Sequence, residues 1–222
     1  MTHLLATIGV LAVSAAAVAA AELRPDTTAA WNRYVARTET RLHRTRAAEP
    51  EGSHIDVPGG TIYHWRGSTM VRGTTVERVV HRLAYPGTAP PQEDVLESRV
   101  LSRRGDSLRV YLKLSRTVLV TAVYDTEHDV DFQRVSPGVM TSRSVSTRIV
   151  ESGESDRGFL WRLNSYWRYT QVGNDVVIEL ESLSLSRDVP RVVRPIAVPI
   201  ANRIARESVA RTLESVRTYV RP

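Results

Sequence analysis

Near its C-terminus the chain carries a stretch that can only be a long one-sided helix, Pro199 to Tyr219. Ile200, Ile204, Val209, Leu213, Val216 and Val220 recur at steps of mostly three and four residues, which places them on one face. Pro199 suits a first helical position, where a missing N–H costs nothing. Arg203, Arg206, Arg211 and Arg217 lie off the apolar line and read as surface. At 1.5 Å per residue such a helix is about 30 Å long. A stripe of that length must be buried against something broad, and a run of strands precedes it.

From Glu93 the apolar period is two. Strands are expected at Glu93–Ser102, Ser107–Arg116, Val118–Phe132, Gly138–Ser152, Gly158–Gln171 and Asp175–Arg187. The breaks between them, such as Arg104-Gly105-Asp106 and Gly173-Asn174, are turn signals at short spacing. Neighbours are therefore antiparallel and consecutive. Gly60–Val71 is a further strand, the first in the chain. Behind it, Thr74 with Glu77 reads as a capping box, opening a helix with Val76, Val79, Val80 and Leu83 on its apolar face. Tyr85–Gln92, with three prolines and a glycine, is a loop and a candidate cavity rim. Ahead of all this lies a first helix, Asp26–Ala47, with Trp31, Tyr34, Val35, Thr38 and Leu42 on one face. Glu49–Gly60 reads as a connection. The expectation is an α+β fold: a seven-stranded curved antiparallel sheet wrapped on a long C-terminal helix, with an extra N-terminal helix.

That order resembles the helix-grip fold of START-like (SRPBCC) proteins over roughly Ile62 to Val220. The resemblance rests on element order and on the phrases VRGTTVERVV (Val71–Val80), GFLWRLNSYWRY (Gly158–Tyr169) and SRDVP (Ser186–Pro190). They look like a bacterial branch of the superfamily, which includes lipid-transfer domains, pollen-allergen-type proteins, and polyketide cyclases and aromatases. The usual layout has two short helices after the first strand, whereas here the Tyr85–Gln92 loop replaces the second. The resemblance implies a cavity between the last helix and the concave sheet face, holding a hydrophobic or amphipathic small molecule, plausibly a lipid.

Domain organisation follows from composition. Leu4–Ala20 is apolar or small throughout, and Ala19-x-Ala21 has the form of a signal-peptidase site. Residues 1–21 are read as a signal peptide, 22–59 as the first helix and its connection, and 60–222 as the helix-grip domain. A retained membrane anchor is the rival reading of the leader. There is no cysteine, so disulfides, thiol nucleophiles and thiolate metal sites are excluded. An exported chain without cysteine fits a bacterial periplasm or cell envelope. The net charge of +6 is concentrated at the two ends: eight Arg stand against three acids from Arg187 onward. Either an Arg-biased composition with solvated helix faces explains this, or weak attraction to an anionic membrane surface does. No basic patch interleaved with aromatics points to nucleic acid.

No catalytic motif, metal spacing or cofactor signature is present. Alternation puts Tyr124, Thr126 and His128 on the inward face of one strand, with Asp125, Glu127, Asp129 and Asp131 opposite. His128 is the one candidate for acid–base chemistry, against a structural histidine bonded to backbone. The four carboxylates read as a wet face paired with Arg, with a Ca²⁺ site as the lesser alternative. Phe159, Trp161, Leu163, Trp167 and Tyr169 form an aromatic stripe on another strand, either core or cavity wall. The expected cavity set is Tyr124, Thr126, His128, Trp161, Leu163, Trp167, Tyr169, Leu213 and Val216. Glu179 and Glu181 read as a cross-strand ion ladder with Arg162 and Arg168, or as a buried carboxylate for a polar head group. The apolar pair Leu183 and Leu185 is out of phase with Val176, Ile178 and Leu180, which predicts a bulge near Ser182. Three functions stay open: a carrier, a cyclase- or hydrolase-like enzyme using His128, Tyr124 and Glu181, and a structural envelope protein with a filled core.

Overall fold

The computed structural model describes residues 23–44, 52–85, 94–117, 121–153, 160–188, 192 and 194–221. Among them are three helices, α1 (Pro25–Arg44), α2 (Val76–Ala84) and α3 (Arg194–Tyr219). The strands are β1 (Gly52–Val57), β2 (Gly60–Val71), β3 (Val95–Arg104), β4 (Ser107–Thr117), β5 (Thr121–Ser136), β6 (Val139–Glu151), β7 (Arg162–Val172) and β8 (Asp175–Arg187). They form one antiparallel sheet in the order β1-β2-β8-β7-β6-β5-β4-β3. No helix among the described residues is long and apolar enough to cross a membrane.

The sheet therefore has eight strands rather than seven. The extra one is β1, inside the segment read as a connection. Its Ser53, Ile55 and Val57 alternate with polar residues, and Pro58-Gly59 is a tight hairpin turn back into β2. Gly59 takes φ +66°, a left-handed conformation that glycine adopts at no steric cost. The turn is pinned from α1, whose Thr27 hydroxyl donates to the Pro58 carbonyl at 2.5 Å.

Two helix starts also differ from expectation. The α2 cap is Thr75, whose hydroxyl accepts from the Arg78 N–H. Thr74 lies one residue outside the helix, and Glu77 pairs instead with Arg134 of β5. Helix α3 begins at Arg194, so Pro199 sits inside it and removes one bond in the second turn.

The bulge expected near Ser182 does not exist. Registers run unbroken through Ser182 on both sides, to Trp65 of β2 and Ser165 of β7. The phase changes because β8 is buried on both faces. Val176, Ile178 and Leu180 lie under α3 and α2, packed with Val209, Leu213 and Val216. Leu183 and Leu185 point the other way, under α1, packed with Trp31 and Ile62. A strand covered on both sides reads as apolar at both parities.

Helix α1 thus clamps the convex face, and a polar chain runs beneath it. Tyr34 Oη lies 2.7 Å from His64 Nδ1, and His64 Nε2 lies 2.7 Å from Glu181 Oε1. Arg41 of α1 closes on the same carboxylate oxygen. Farther along, Glu39 accepts from both Tyr166 Oη (2.9 Å) and Arg143 Nε (2.7 Å). Glu181 is not in a ladder with Arg162 and Arg168, since its register partners are Arg66 and Tyr166; it is a buried carboxylate, as the second reading had it, and it is buried against α1. One step away Arg168 stands across from Glu179 in the register, but Arg168 Nε and Glu179 Oε2 are buried without a hydrogen-bond partner among the described residues, so the expected ladder does not form there either.

Candidate functional site

The site is built on the concave face, and its depth is set by two contacts of α3. On the β2 side the helix comes very close, because Gly67 has no side chain. A Cβ there would lie 2.8 Å from Leu213 Cδ1 and 3.2 Å from Val209 Cγ1. On the opposite side Arg211 Nη2 reaches Asp94, just before edge strand β3, at 2.9 Å. Asp94 is 8% exposed, so Arg211 is an anchor and not the surface residue the helical pattern suggested. Strand β2 and the β3 edge stand at opposite sides of the sheet order, yet both touch α3. The sheet must curl beneath the helix to allow this.

Between those contacts the floor is not sealed. Leu112, Ser144, Leu163, Ser165, Trp167 and Ser182 all face the helix side, yet each is only half-buried. Toward α2 the same face closes into solid core around Tyr169, Val176 and Ile178. The concave face is thus packed solid at one end and incompletely buried in its middle.

The expected cavity residues divide accordingly. Leu163 and Trp167 are half-buried at the edges of the middle, Leu163 packed against the Tyr124 cluster and Trp167 against the Tyr169 cluster. Trp167 lies parallel to the Tyr169 ring, with centroids 6.4 Å apart. Tyr169, Leu213 and Val216 belong to the packed end. Tyr169 Oη bonds Ser142 at 3.2 Å, and burial pushes its phenol well above the usual range. Tyr124 is enclosed with Leu114 and Ala122 in a third cluster near the start of β5. Trp161 is on the other side of the sheet. It precedes the first residue of β7, its N–H donates to the Leu185 carbonyl at 2.7 Å, and its ring packs with Trp31 under α1. Two-residue alternation does not extend past a strand's end. Phe159 lies outside the described residues, as does the Tyr85–Gln92 loop beyond Tyr85.

His128 faces inward as alternation predicted, but it is 3% exposed. Its Nε2 lies 3.1 Å from Thr126 Oγ1, and Thr126 itself donates to the Leu112 carbonyl at 2.9 Å. Thr126 Oγ1 therefore accepts a hydrogen bond from the ring, which makes Nε2 the N–H and Nδ1 the acceptor for the Ser144 hydroxyl at 3.5 Å. Burial lowers the ring's pKa to about 4, against a smaller opposing pull from Asp129. Stability contributed by a neutral imidazole is complete above about pH 6.5. As pH falls toward 4 the unfolded chain takes up a proton that the folded chain refuses, so stability drops in that window. Urea unfolding between pH 7 and 4 should show this slope in the parent and a shallower one in His128→Asn, where only the carboxylates remain to contribute. An NMR titration placing the His128 pKa near 6.5 would contradict it.

The acid–base set His128, Tyr124 and Glu181 is not assembled, because Glu181 points to α1 on the opposite face. The acidic row of β5 is a paired wet face: Asp125 accepts from Tyr111, Asp129 from Arg109, and Asp131 from Ser107. Among the described residues no cluster of His, Asp or Glu is arranged to hold a metal ion. What sequence reasoning missed is the serine content of the groove floor. The signal was present, since Ser144, Ser165 and Ser182 fall at inward parity, but small polar residues on a strand normally read as surface.

No protein-family model matches the chain, and no curated protein matches it. Solved structures do. The protein TTHA0849 from Thermus thermophilus superposes with a TM-score of 0.54 at 16% identity, over 71% of this chain and 96% of its own. The Zhui aromatase/cyclase from Streptomyces sp. R1128 gives 0.50 at 14%, over 72% and 93%. A STAR-related lipid transfer protein from Xanthomonas axonopodis gives 0.50 at 17%, over 78% and 99%. The fold is the START-like helix grip. At such identities the likeness is one of architecture.

Proposed function

We propose that the protein binds a hydrophobic or amphipathic small molecule of the lipid class in the groove between α3 and the concave sheet face. The observation that carries this reading is the half-open floor at Leu163, Ser165 and Trp167, on a face that would be solid if the core were filled. Concave, mostly apolar sites with a few polar groups are the usual form of small-molecule pockets. The names of two structural neighbours, a lipid transfer protein and an aromatase/cyclase, support a ligand in this place. The buried, neutral His128 favours a carrier over acid–base catalysis.

Titration with the uncharged dye Nile red tests the reading. Saturable binding at one site, with energy transfer from tryptophan that falls in Trp167→Phe, is the expected result. Partition without saturation would refute it. The proposal extends to export, with cleavage before Glu22, and to weak salt-sensitive contact of the Arg-rich ends with anionic membrane. N-terminal sequencing of the exported protein and vesicle binding at two salt concentrations test these parts. A retained Met1, or no vesicle binding at low salt, would remove them.

A further inference from the structure

The registers place one straight row of side chains across the groove floor: Trp65 of β2, Ser182 of β8, Ser165 of β7, Ser144 of β6 and Val130 of β5. Three consecutive strands thus present a hydroxyl at the same level. With strands about 4.8 Å apart, the outer two stand about 10 Å from each other. Ser165 and Ser182 are half-buried and have no hydrogen-bond partner among the described residues. The Ser144 hydroxyl donates a hydrogen bond to His128 Nδ1, which leaves its oxygen as an acceptor. A serine on the wet face of a sheet needs no partner, because water supplies one. These serines lie instead under a helix, beside Trp167 and Leu163, where each hydroxyl that leaves water must find a replacement.

The second observation concerns charge. The row's two flanking rows, from Gly67 to Phe132 and from Tyr63 to His128, contain no Lys, Arg, Asp or Glu. The nearest buried ions on this side are already committed or distant. Arg211 is held by Asp94, and Glu151 lies at the end of β6 across from Tyr124. A carboxylate or phosphate brought onto this floor would lose its water and gain no cation, which is strongly unfavourable. An uncharged group with hydroxyl or ester oxygens would lose water and gain the serine hydroxyls. A plain hydrocarbon would leave those hydroxyls unpaired.

We infer that the groove selects uncharged amphipaths, whose hydroxyl or ester oxygens lie along the Ser182–Ser165–Ser144 row, over fatty acids and phospholipids. This rests on the groove being a binding site, so the experiment separates the two claims. Nile red is bound first, and is then displaced by monolauroylglycerol or by laurate, which share an acyl chain and differ in head-group charge. Both lipids are used below their aggregation limits at pH 7.5. Monolauroylglycerol should displace the dye at least tenfold more effectively than laurate. Ser165→Ala and Ser182→Ala should each weaken monolauroylglycerol about 3- to 10-fold, the worth of one neutral hydrogen bond. Laurate and Nile red affinities and the urea midpoint should not move. Equal or better displacement by laurate would overturn the inference while leaving the groove intact. Unchanged monolauroylglycerol affinity in both serine variants would do the same. Failure of Nile red to bind at all would overturn the groove reading and this inference with it.

Discussion

Glu181→Gln is expected to destabilise the protein by about 3–5 kcal/mol, the range for removing one partner of a buried ion pair. Arg41 and Glu181 side chains are 19% and 7% exposed, so water reaches the arginine but scarcely the carboxylate. The partial exposure of Arg41 places the loss toward the lower part of that range. Burial by itself would raise the Glu181 carboxyl. The hydrogen bond and charge of His64, and then the charge of Arg41, outweigh burial and hold it below its usual value. A carboxylate lowered in this way contributes stability above its unfolded pKa and loses it as pH falls through the folded one. The clamp of α1 should therefore loosen in acid, and Glu181→Gln should flatten that part of the acid limb. An apolar replacement of the whole cluster, Arg41→Met with His64→Leu and Glu181→Leu, should recover most of the loss, because no stranded charge remains. Urea unfolding of the parent, single and triple variants reads all three. A single variant within about 0.5 kcal/mol of the parent would show that α1 does not rest on this carboxylate.

Leu213→Ala is expected to cost about 2–5 kcal/mol, as for large-to-small changes in a packed core. Leu213 is 5% exposed and closes directly over Gly67, with Val176, Ile178 and Leu180 in the same cluster. Had it lined open space, its loss would be smaller and bulkier ligands would bind better. Its position at the packed end predicts a large stability loss with little change in Nile red affinity. Arg206→Ala, on the exposed side of α3, is the control and should stay within about 0.5 kcal/mol. A neutral Leu213→Ala would mean that α3 does not grip β2.

Residues whose environment is set by local periodicity were legible in the sequence. His128 and Thr126 face inward, and Trp167 and Tyr169 share a face, because strand alternation is a local geometric rule. The stripe from Val209 to Val216 is buried because a helix with one apolar face has one place to put it. Residues whose environment is set by distant chain were not legible. Leu183 and Leu185 looked like a slipped register because nothing in β8 announces that α1 covers its second face. Glu181 looked like a surface ladder for the same reason, since Arg41 is 140 positions away. Arg211 looked solvated, because its partner Asp94 comes from the far edge of a curled sheet. β1 was hidden by composition: six residues bounded by Gly, Ser, Asp and Pro carry too little hydrophobicity to outvote their turn formers. The groove itself is a property of curvature, which no single segment encodes.

The open groove is tested most directly by native mass spectrometry of the mature protein, purified without detergent and sprayed before and after extraction with organic solvent. The account predicts a population heavier than the polypeptide by one small molecule, which collapses to the polypeptide mass on extraction and is recovered in the organic phase as an uncharged, oxygen-bearing amphipath. A single species at the polypeptide mass that also fails to take up monolauroylglycerol or Nile red one-to-one would contradict it, and would leave the sheet and α3 as a filled structural core.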